Sequence, residues 1–345
     1  MKVEFLIPPA SQRVGGIDLA IEGMRSSLGE RHEISTREAG VPDEATELVH
    51  FHGLWQPQHL AAYRACVRRG LPYIVSPHGM LEPWAYRHRR WKKWPWLRLF
   101  ENRHLRNASA VLATSSMEAE NLQPFTPNDS IRIAPLGLDE EMPVTRDAAR
   151  REFDIGPDTQ ILLYLSRIDR KKGLDLLFES LAETPTKNLE LWIVGDGDEG
   201  FLGELKQFAR ERAADLPAVR WCGAAWGDAR WRYLLAADLF CLPTHSENFG
   251  FAILEALWVG TRTLTTDRTP WAEHRIEGLS ICGDNTGSLC AALGELQRDP
   301  IWDSERRSSL REWARAKFHW QHLGATYDRI YREAAGAAAN TYKAA

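Results

Sequence analysis

Short apolar runs that end in Gly, Pro or polar loops alternate along this chain with segments of helical periodicity. VEFLIP precedes a helical pattern over Ile17–Leu28, ELVHFHG precedes Pro57–Arg69, PYIVSPHG precedes a basic aromatic stretch, and SAVLATS precedes Met117–Leu122. Apolar runs bounded by turn residues read as buried strands, and their alternation with helical patterns predicts a parallel sheet with crossover helices. The rhythm pauses after IRIAPLGLD, where the chain is rich in Pro, Arg and acids, and restarts with ILLYLSRID, LELWIVGDG, VRWCG, DLFCLPT and TRTLTTD. The expected class is therefore α/β, with two Rossmann-like doubly wound domains facing across a cleft and ligands at the carboxyl ends of the strands. Boundaries fall at 1–142 for the first domain, 143–158 for a linker, 159–317 for the second domain and 318–336 for a terminal helix. The low-complexity end, 337–345, reads as a disordered tail.

Composition narrows the picture. A chain of 345 residues with 44% hydrophobic positions is long enough for about two globular domains, and a net charge of −4 gives no global attraction to nucleic acid. The 5 Cys are scattered and form no CxxC pair, which argues against a disulfide framework or a zinc site and fits a reducing cytoplasm. MKVEFLIPPA has too short an apolar run for a secretory signal, and no later run approaches the roughly 20 residues of a membrane span.

Two carboxylates in HSENFGFAILEALWVG (His245–Gly260) need an account. LFCLPT reads as a strand, HSENFG as a loop, and FAILEALWV as a helix that Gly260 stops. Glu255 then lies among apolar neighbours, where a carboxylate is costly unless hydrogen-bonded; a vicinal diol such as a ribose is one group that binds it. The helix N-terminus near Asn248–Phe251 offers N–H groups and a positive dipole end to a phosphate, and Glu247 lies just outside it, where a sugar on that phosphate would sit. On these residues a second reading stays open, with Glu255 at the solvent edge of a surface helix and Glu247 paired with a nearby Arg. ILLYLSRIDRKKGLDLL adds Arg167 at a strand end and Lys172 at the start of the next helix. Together these cations suit a diphosphate, Arg as a fork of donors and Lys as a point charge, able to stabilise a departing nucleoside diphosphate without a metal.

These residues carry a resemblance. The carboxylate loop is similar to the E-x7-E motif, and SRIDRKKG to the Arg/Lys phosphate loop, of the family-4 retaining glycosyltransferases with the GT-B fold. VGGI (Val14–Ile17) resembles the family's glycine-rich first loop, HFHGLW and SPHGML its strand ends at the cleft, and APLGLD its interdomain turn. The resemblance implies Glu255 on the donor ribose, Arg167 and Lys172 on the diphosphate, and Glu247 on hydroxyls of the donor sugar. It implies backbone contacts from Asn248, Phe249 and Gly250, and close approach of donor phosphate and acceptor at Gly15 and Gly16. His78 matches the family's cleft histidine, and His52 on the neighbouring strand end is the candidate for acceptor contact. Glu247, His78, Arg167 and Lys172 form the expected catalytic set.

The implied activity is transfer of a hexose, with retention, from a nucleoside-diphosphate sugar to a glycan or lipid-linked acceptor, with no metal and no other cofactor. Base recognition is expected through backbone near Trp221–Ala224. Two positions depart from the family pattern: Arg262 stands where many members have Pro, and DRTPWAEH where many have a Gly-Gly-Pro-Glu loop, which leaves the donor contacts of Thr269–Trp271 open. The Thr-Pro-Trp form resembles a subset associated with bacterial surface polysaccharides.

Rival readings exist. LWIVGDGDEG holds a GxGxxG, Gly195 to Gly200, after a strand, the start of a nicotinamide dinucleotide fingerprint; the acidic ribose partner expected about 20 residues on is missing from VRWCG. The same stretch contains Asp196-Gly197-Asp198, a DxD that binds a divalent metal in other glycosyltransferases. A non-catalytic sugar-nucleotide module on the same fold is a third reading. Finally, Trp84–Asn107 interleaves Trp84, Trp91 and Trp94 with Arg89, Arg90, Lys92 and Lys93, a pattern suited to an anionic membrane surface, or as a weaker alternative to RNA. The expected location is the cytoplasm, with peripheral contact on the inner face of the plasma membrane; the competing reading is a solvated helix pair whose Trp rings pack inward.

Overall fold

The computed structural model describes residues 1–13, 16–84, 94–184, 188–299 and 302–341. Its contacts divide the chain into two compact units, one of residues 1–139 with 317–345 and one of 140–316.

The first unit is a parallel sheet in the order β2-β1-β3-β4-β5-β6. In chain order its elements are β1 (Lys2–Leu6), α1 (Ile17–Gly29), β2 (Glu33–Arg37), β3 (Leu48–His52), α2 (Leu60–Arg69), β4 (Tyr73–Ser76), α3 (Asn102–Arg106), β5 (Ala110–Ala113), α4 (Ser116–Leu122) and β6 (Ile131–Ile133). Strands β3, β4 and β5 are buried at every position, as a parallel strand covered on both faces must be. From these strands Val49, Phe51, Tyr73, Val75, Val111 and Ala113 make one core with Leu54, Cys66, Leu81 and Leu105.

The second unit repeats the design. Its elements are α5 (Arg146–Glu152), β7 (Gln160–Leu165), α6 (Leu174–Glu183), β8 (Leu189–Val194), α7 (Glu199–Glu211), β9 (Ala218–Gly223), α8 (Asp228–Ala236), β10 (Leu239–Leu242), α9 (Phe251–Trp258), β11 (Arg262–Thr266), β12 (Leu279–Cys282), α10 (Thr286–Arg298) and α11 (Ser304–Phe318). The sheet order is β12-β11-β10-β7-β8-β9, all parallel. In each unit the chain lays strands in one direction and then crosses over, which puts the reversal between β1 and β3 in the first and between β7 and β10 in the second.

The stretch read as a linker, 143–158, contains α5 in its middle. Thr145 caps this helix, and Arg146 and Arg150 clamp Asp238 at 2.6 and 3.0 Å. Arg146 also donates to the carbonyls of Leu235 and Ala237, at 2.9 and 2.7 Å. Basic residues that suggest a solvated connector are thus consumed by one distant aspartate and the open end of α8. The last helix, α12 (Trp320–Thr341), belongs to the first unit, where Tyr327 Oη donates to Ala134 O at 3.1 Å and Asp328 meets His32 at 2.7 Å. It runs four residues past the point where a disordered tail was expected, 337, and residues 342–345 lie outside the described part.

Candidate functional site

Reversal of strand order between β7 and β10 sets the loops at their carboxyl ends, 166–173 and 243–250, side by side, where open α/β sheets take ligands. Backbone contacts stitch these loops together: Lys171 O accepts from His245 N at 2.8 Å and from Thr244 Oγ1 at 2.9 Å. A Cβ on Gly173 would stand 2.0 Å from Pro243 O, so only glycine allows this approach. The closure brings Lys172 Nζ to 2.5 Å from Glu247 Oε2, with side chains only 12% and 13% exposed. Of the two sequence readings, Glu247 therefore takes a cation, but it is Lys172 rather than an arginine. Arg167 is exposed at the end of the same loop and has no acid partner among the described residues.

The helices that leave these loops start without a side-chain cap, as α1, α2, α3 and α8 also do. Helices α4, α5, α7 and α10 are capped by Ser115, Thr145, Asp198 and Asn285 side chains. By contrast α6 and α9 begin at left-handed glycines, Gly173 and Gly250, with no side-chain cap. Their first-turn amides lack the side-chain acceptor the capped helices have, an arrangement that suits an anion held by backbone N–H groups and the helix dipole. The loop 246–250 is braced from below: Trp271, 2% exposed, donates Nε1–H to Phe249 O at 2.6 Å, and Glu247 N donates to Arg268 O at 3.2 Å. Thr269 is fully buried and bonds Thr266 O at 3.0 Å. The departures seen in DRTPWAEH therefore support the loop from inside at Thr269 and Trp271.

Glu255 is not at a solvent edge. It is 4% exposed on α9, and its Oε1 lies 3.1 Å from Nε of Arg230 on α8. Arg230 also binds Glu140 at 2.7 Å, and Glu140 accepts from Trp231 Nε1 at 2.7 Å. Burial pushes the Glu255 carboxyl up to about 7, with Arg230 pulling it down and Glu140 pushing it further up. Such a group changes charge near neutrality. Sequence reading missed Arg230 and Glu140; no local signal marks them, because they meet Glu255 only through folding.

The GDG turn has a structural role. Ile168 pairs with Gly197 in a short parallel bridge, with Ile168 N bonded to Asp196 O at 2.6 Å and Asp198 N to Ile168 O at 3.0 Å. A Cβ on Gly195 would stand 1.9 Å from Ser166 O and one on Gly197 2.1 Å from Ile168 O. The space that a dinucleotide fingerprint keeps for pyrophosphate is filled here by the chain's own Arg167 loop. Asp198, the second acid of the DxD, caps α7 by accepting from Phe201 N at 2.8 Å.

In the first unit, the loops after β1, β3 and β4 hold the remaining candidates. Gly16 starts α1 in the left-handed region without a side-chain cap, and Gly15 lies outside the described residues. His52 is fully buried beneath the partly exposed His78, its Nδ1 3.1 Å from His78 Nε2 and the rings stacked 5.4 Å apart. This places His52 as a support for His78, where acceptor contact was expected. Behind them His50 bonds Ser76 Oγ at 2.8 Å and the Tyr331 hydroxyl of α12. Burial holds His50 and His52 well below the usual histidine range and His78 down to about 4, so all three rings are neutral near pH 7. His78 has φ +51°, and the turn it strains is clamped by Glu118, which accepts from Gly79 N at 2.8 Å and from Thr114 N at 2.7 Å.

Of the basic aromatic stretch, Arg89, Arg90, Trp91, Lys92 and Lys93 lie outside the described residues. Trp84 and Trp94 at its borders are 45% and 50% exposed, contrary to inward packing of these two rings. No helix among the described residues is long and apolar enough to cross a membrane.

Comparison with known proteins points one way. Residues 145–315 match the family described as Glycosyl transferases group 1, and residues 41–142 match Glycosyltransferase Family 4. A D-inositol 3-phosphate glycosyltransferase of Stackebrandtia nassauensis is 28% identical over 322 residues, covering 86% of this chain and 71% of that protein. Three further relatives of that name are covered over 52%, 60% and 53% of their length. A sucrose-phosphate synthase structure from Thermosynechococcus elongatus superposes with a TM-score of 0.80 at 19% identity, over 97% of this chain and 99% of the other. Anabaena HepE, solved with UDP-glucose, gives 0.76 at 17% identity, over 95% and 98%. At these identities the structural likeness establishes the two-domain GT-B fold.

Proposed function

This chain belongs to the group 1, family 4 glycosyltransferases, and on that premise we propose that it moves a hexose from a nucleoside-diphosphate sugar to a glycan or lipid-linked acceptor with retention of configuration. The observation that carries this reading is the Lys172–Glu247 pair at the strand-order reversal, flanked by two uncapped helix N-termini and by the buried Glu255. The diphosphate would sit on Lys172, Arg167 and the amides of α6 and α9. Glu247, freed in part from Lys172 as the phosphate takes that cation, would hold sugar hydroxyls, and Glu255 the ribose hydroxyls. A UDP-sugar is the preferred donor class, in line with the UDP-glucose bound by HepE.

The reaction breaks the bond between the anomeric carbon and the phosphate oxygen, whose electron pair stays on the diphosphate. An acceptor hydroxyl bonds to the same face of that carbon, and its proton passes to the departing phosphate oxygen. Charge that grows on the leaving oxygens is met by Lys172, Arg167 and the helix ends, so no metal is needed for it. His78, neutral and held rigidly by His52 and Glu118, would contact the sugar from the first unit. The Thr-Pro-Trp loop supports a role in bacterial surface polysaccharide synthesis. Exposed Trp84 and Trp94 beside a basic sequence support peripheral contact with an anionic membrane, where several basic residues at roughly 1 kcal/mol each suffice for reversible binding. Flotation with liposomes checks that part: binding that ignores anionic lipid content rejects it.

Calorimetric titration with UDP, GDP, ADP and NAD in chelator, on the wild type and Glu255→Ala, tests the whole reading. Tight binding of one diphosphate, lost in the variant, is the expected result. Binding of NAD alone would return the case to the oxidoreductase reading, and binding of a diphosphate without sugar transfer to any acceptor would favour a non-catalytic module.

A further inference from the structure

One tryptophan of the second unit stands apart from the others. Trp192, Trp231, Trp258 and Trp271 are each 2% exposed or less, and their indole N–H groups donate to Glu190, to the Glu140 carboxylate, to Glu140 O and to Phe249 O. Trp226 is 74% exposed, more than any other large apolar side chain among the described residues. Its indole makes no hydrogen bond and no ring contact with them. Single exposed apolar side chains are ordinary on a folded surface; what distinguishes Trp226 is where the fold puts it.

Trp226 lies on the loop that joins β9 to α8, and backbone hydrogen bonds tie that loop to the candidate site strand by strand. Lys171 O accepts from His245 N at 2.8 Å, Ile168 N donates to Asp196 O at 2.6 Å, and Gly195 N donates to Gly223 O at 2.8 Å. The loops after β10, β7, β8 and β9 therefore form one continuous rim at the carboxyl ends of the strands. Where that rim ends, Gly227 is the cap residue of α8, with Trp226 just outside it and Arg230 in the first turn. Arg230 is the residue that meets Glu255 at 3.1 Å. Four residues of helix rise only about 6 Å, so Trp226 and Arg230 are close enough to serve one nucleoside.

An apolar residue just before a helix cap commonly packs on the residue five further on, here Trp231. That ring is already covered: the Arg230 guanidinium lies over it, 4.7 Å from its centroid. Gly223 and Gly227, which bracket the loop, take φ +72° and +54°, and a Cβ on either would meet nothing within 4 Å. Trp226 is thus left on an open loop with most of its ring in solvent. Trp221, where base recognition was expected through backbone, offers no aromatic face of its own, because its ring stacks on Phe178 at 5.9 Å and carries the Lys206 ammonium at 5.5 Å.

In a nucleotide the phosphates leave the ribose at one end and the base leaves it at the other. With the diphosphate on Lys172 and the amides of α6 and α9, and the ribose hydroxyls on Glu255, the base is directed past Arg230 toward the loop after β9. We propose that Trp226 is the stacking platform for the nucleobase of the donor. This assignment rests on the donor placement given under the proposed function. Stacking is tolerant of base identity because every base has a π-face, so Trp226 supplies affinity and leaves the choice of base to hydrogen bonds at its edge.

The test uses the full chain labelled with 5-fluorotryptophan, the Trp226 fluorine line being assigned by its absence from Trp226→Phe. Calorimetry on wild type, Trp226→Ala and Trp226→Phe compares the tightest binder among UDP, GDP and ADP with inorganic pyrophosphate. The nucleotide should shift the Trp226 line and pyrophosphate should not. Trp226→Ala should weaken the nucleotide roughly fivefold to a hundredfold, the range for one stacked base, with pyrophosphate affinity unchanged. Trp226→Phe, which keeps an aromatic face, should recover most of that loss. The fluorine line of the wild type decides the matter even if a variant misfolds. Nucleotide binding with an unmoved Trp226 line, or equally tight binding to Trp226→Ala, would overturn the inference and leave the donor reading standing. A pyrophosphate loss as large as the nucleotide loss would overturn it too, since Trp226 would then act through the phosphate loops. If no nucleoside diphosphate binds the wild type, the inference and the donor reading fall together.

Discussion

Arg230 Nε lies 3.1 Å from Glu255 Oε1, while Nη2 of the same guanidinium donates to Glu140 at 2.7 Å. One cation is shared by two carboxylates, and the more buried of them is left short of charge compensation. Burial is the main cause that raises the Glu255 carboxyl to about 7 even beside this arginine, and the charge of Glu140 adds to it.

A pH dependence of nucleotide binding follows. Ionised Glu255 can accept from both ribose hydroxyls, so UDP affinity should rise as pH increases toward about 7 and level off above it. Glu255→Gln should bind roughly tenfold or more weakly at pH 8 and show no such rise. Arg230→Met should move the midpoint above 7, since Arg230 stabilises the anion. Calorimetry between pH 5.5 and 8.5 separates these cases; a wild-type profile flat through 7 would rule the assignment out. Unliganded stability carries the opposite sign: a raised acid contributes fully below 4.5 and its contribution is lost as pH rises through about 7.

Lys172 should matter more for turnover than for donor binding. Charge on the leaving diphosphate grows toward the transition state, so Lys172→Ala is expected to lower single-turnover rates about a hundredfold while weakening the donor Kd about tenfold or less. Equal losses in both would mean that Lys172 binds ground and transition states alike.

Metal removal should leave activity intact. Asp198 is used as the cap of α7, and in the proposed reading Arg167 and Lys172 supply the cations for the diphosphate. Initial rates in excess chelator should match those with magnesium; abolished turnover, restored by a divalent ion, would contradict this.

The first unit should lose stability in acid. His59 is buried with its value depressed to about 4, and burial also holds His50 and His52 well below the usual histidine range. A depressed histidine contributes fully above its unfolded value of 6.5, and the contribution is lost as pH falls toward about 4. His59 alone accounts for about 3 kcal/mol over that window. Denaturant unfolding at pH 7 and pH 5 should show this fall, and His59→Phe should reduce it.

Gly197→Ala should destabilise the second unit, because its Cβ would meet Ile168 O at 2.1 Å. Movement of the Arg167 loop would follow, with weaker diphosphate binding. Thermal unfolding and UDP titration check both; a variant with wild-type stability would show that the GDG turn has room the structure does not reveal.

Much of this protein was legible in one dimension. Strand and helix alternation depends on local apolar periodicity, so the tandem doubly wound design and the loops carrying Arg167, Lys172, Glu247 and Glu255 could be read directly from the residues. Folding decided what depends on distant partners. The charged stretch at 146–152 looks like a connector until Asp238 draws its arginines inward. Glu255 looks like either a surface acid or a ligand contact until α8 brings Arg230 against it. Gly195 and Gly197 match a dinucleotide pattern by spacing, but only the sheet shows their vacant Cβ positions filled by the backbone of a neighbouring loop. Local pattern sets which elements form, because propensity and periodicity act over a few residues. Charge pairing, burial and close backbone approach act across space, and these decided what each functional side chain meets.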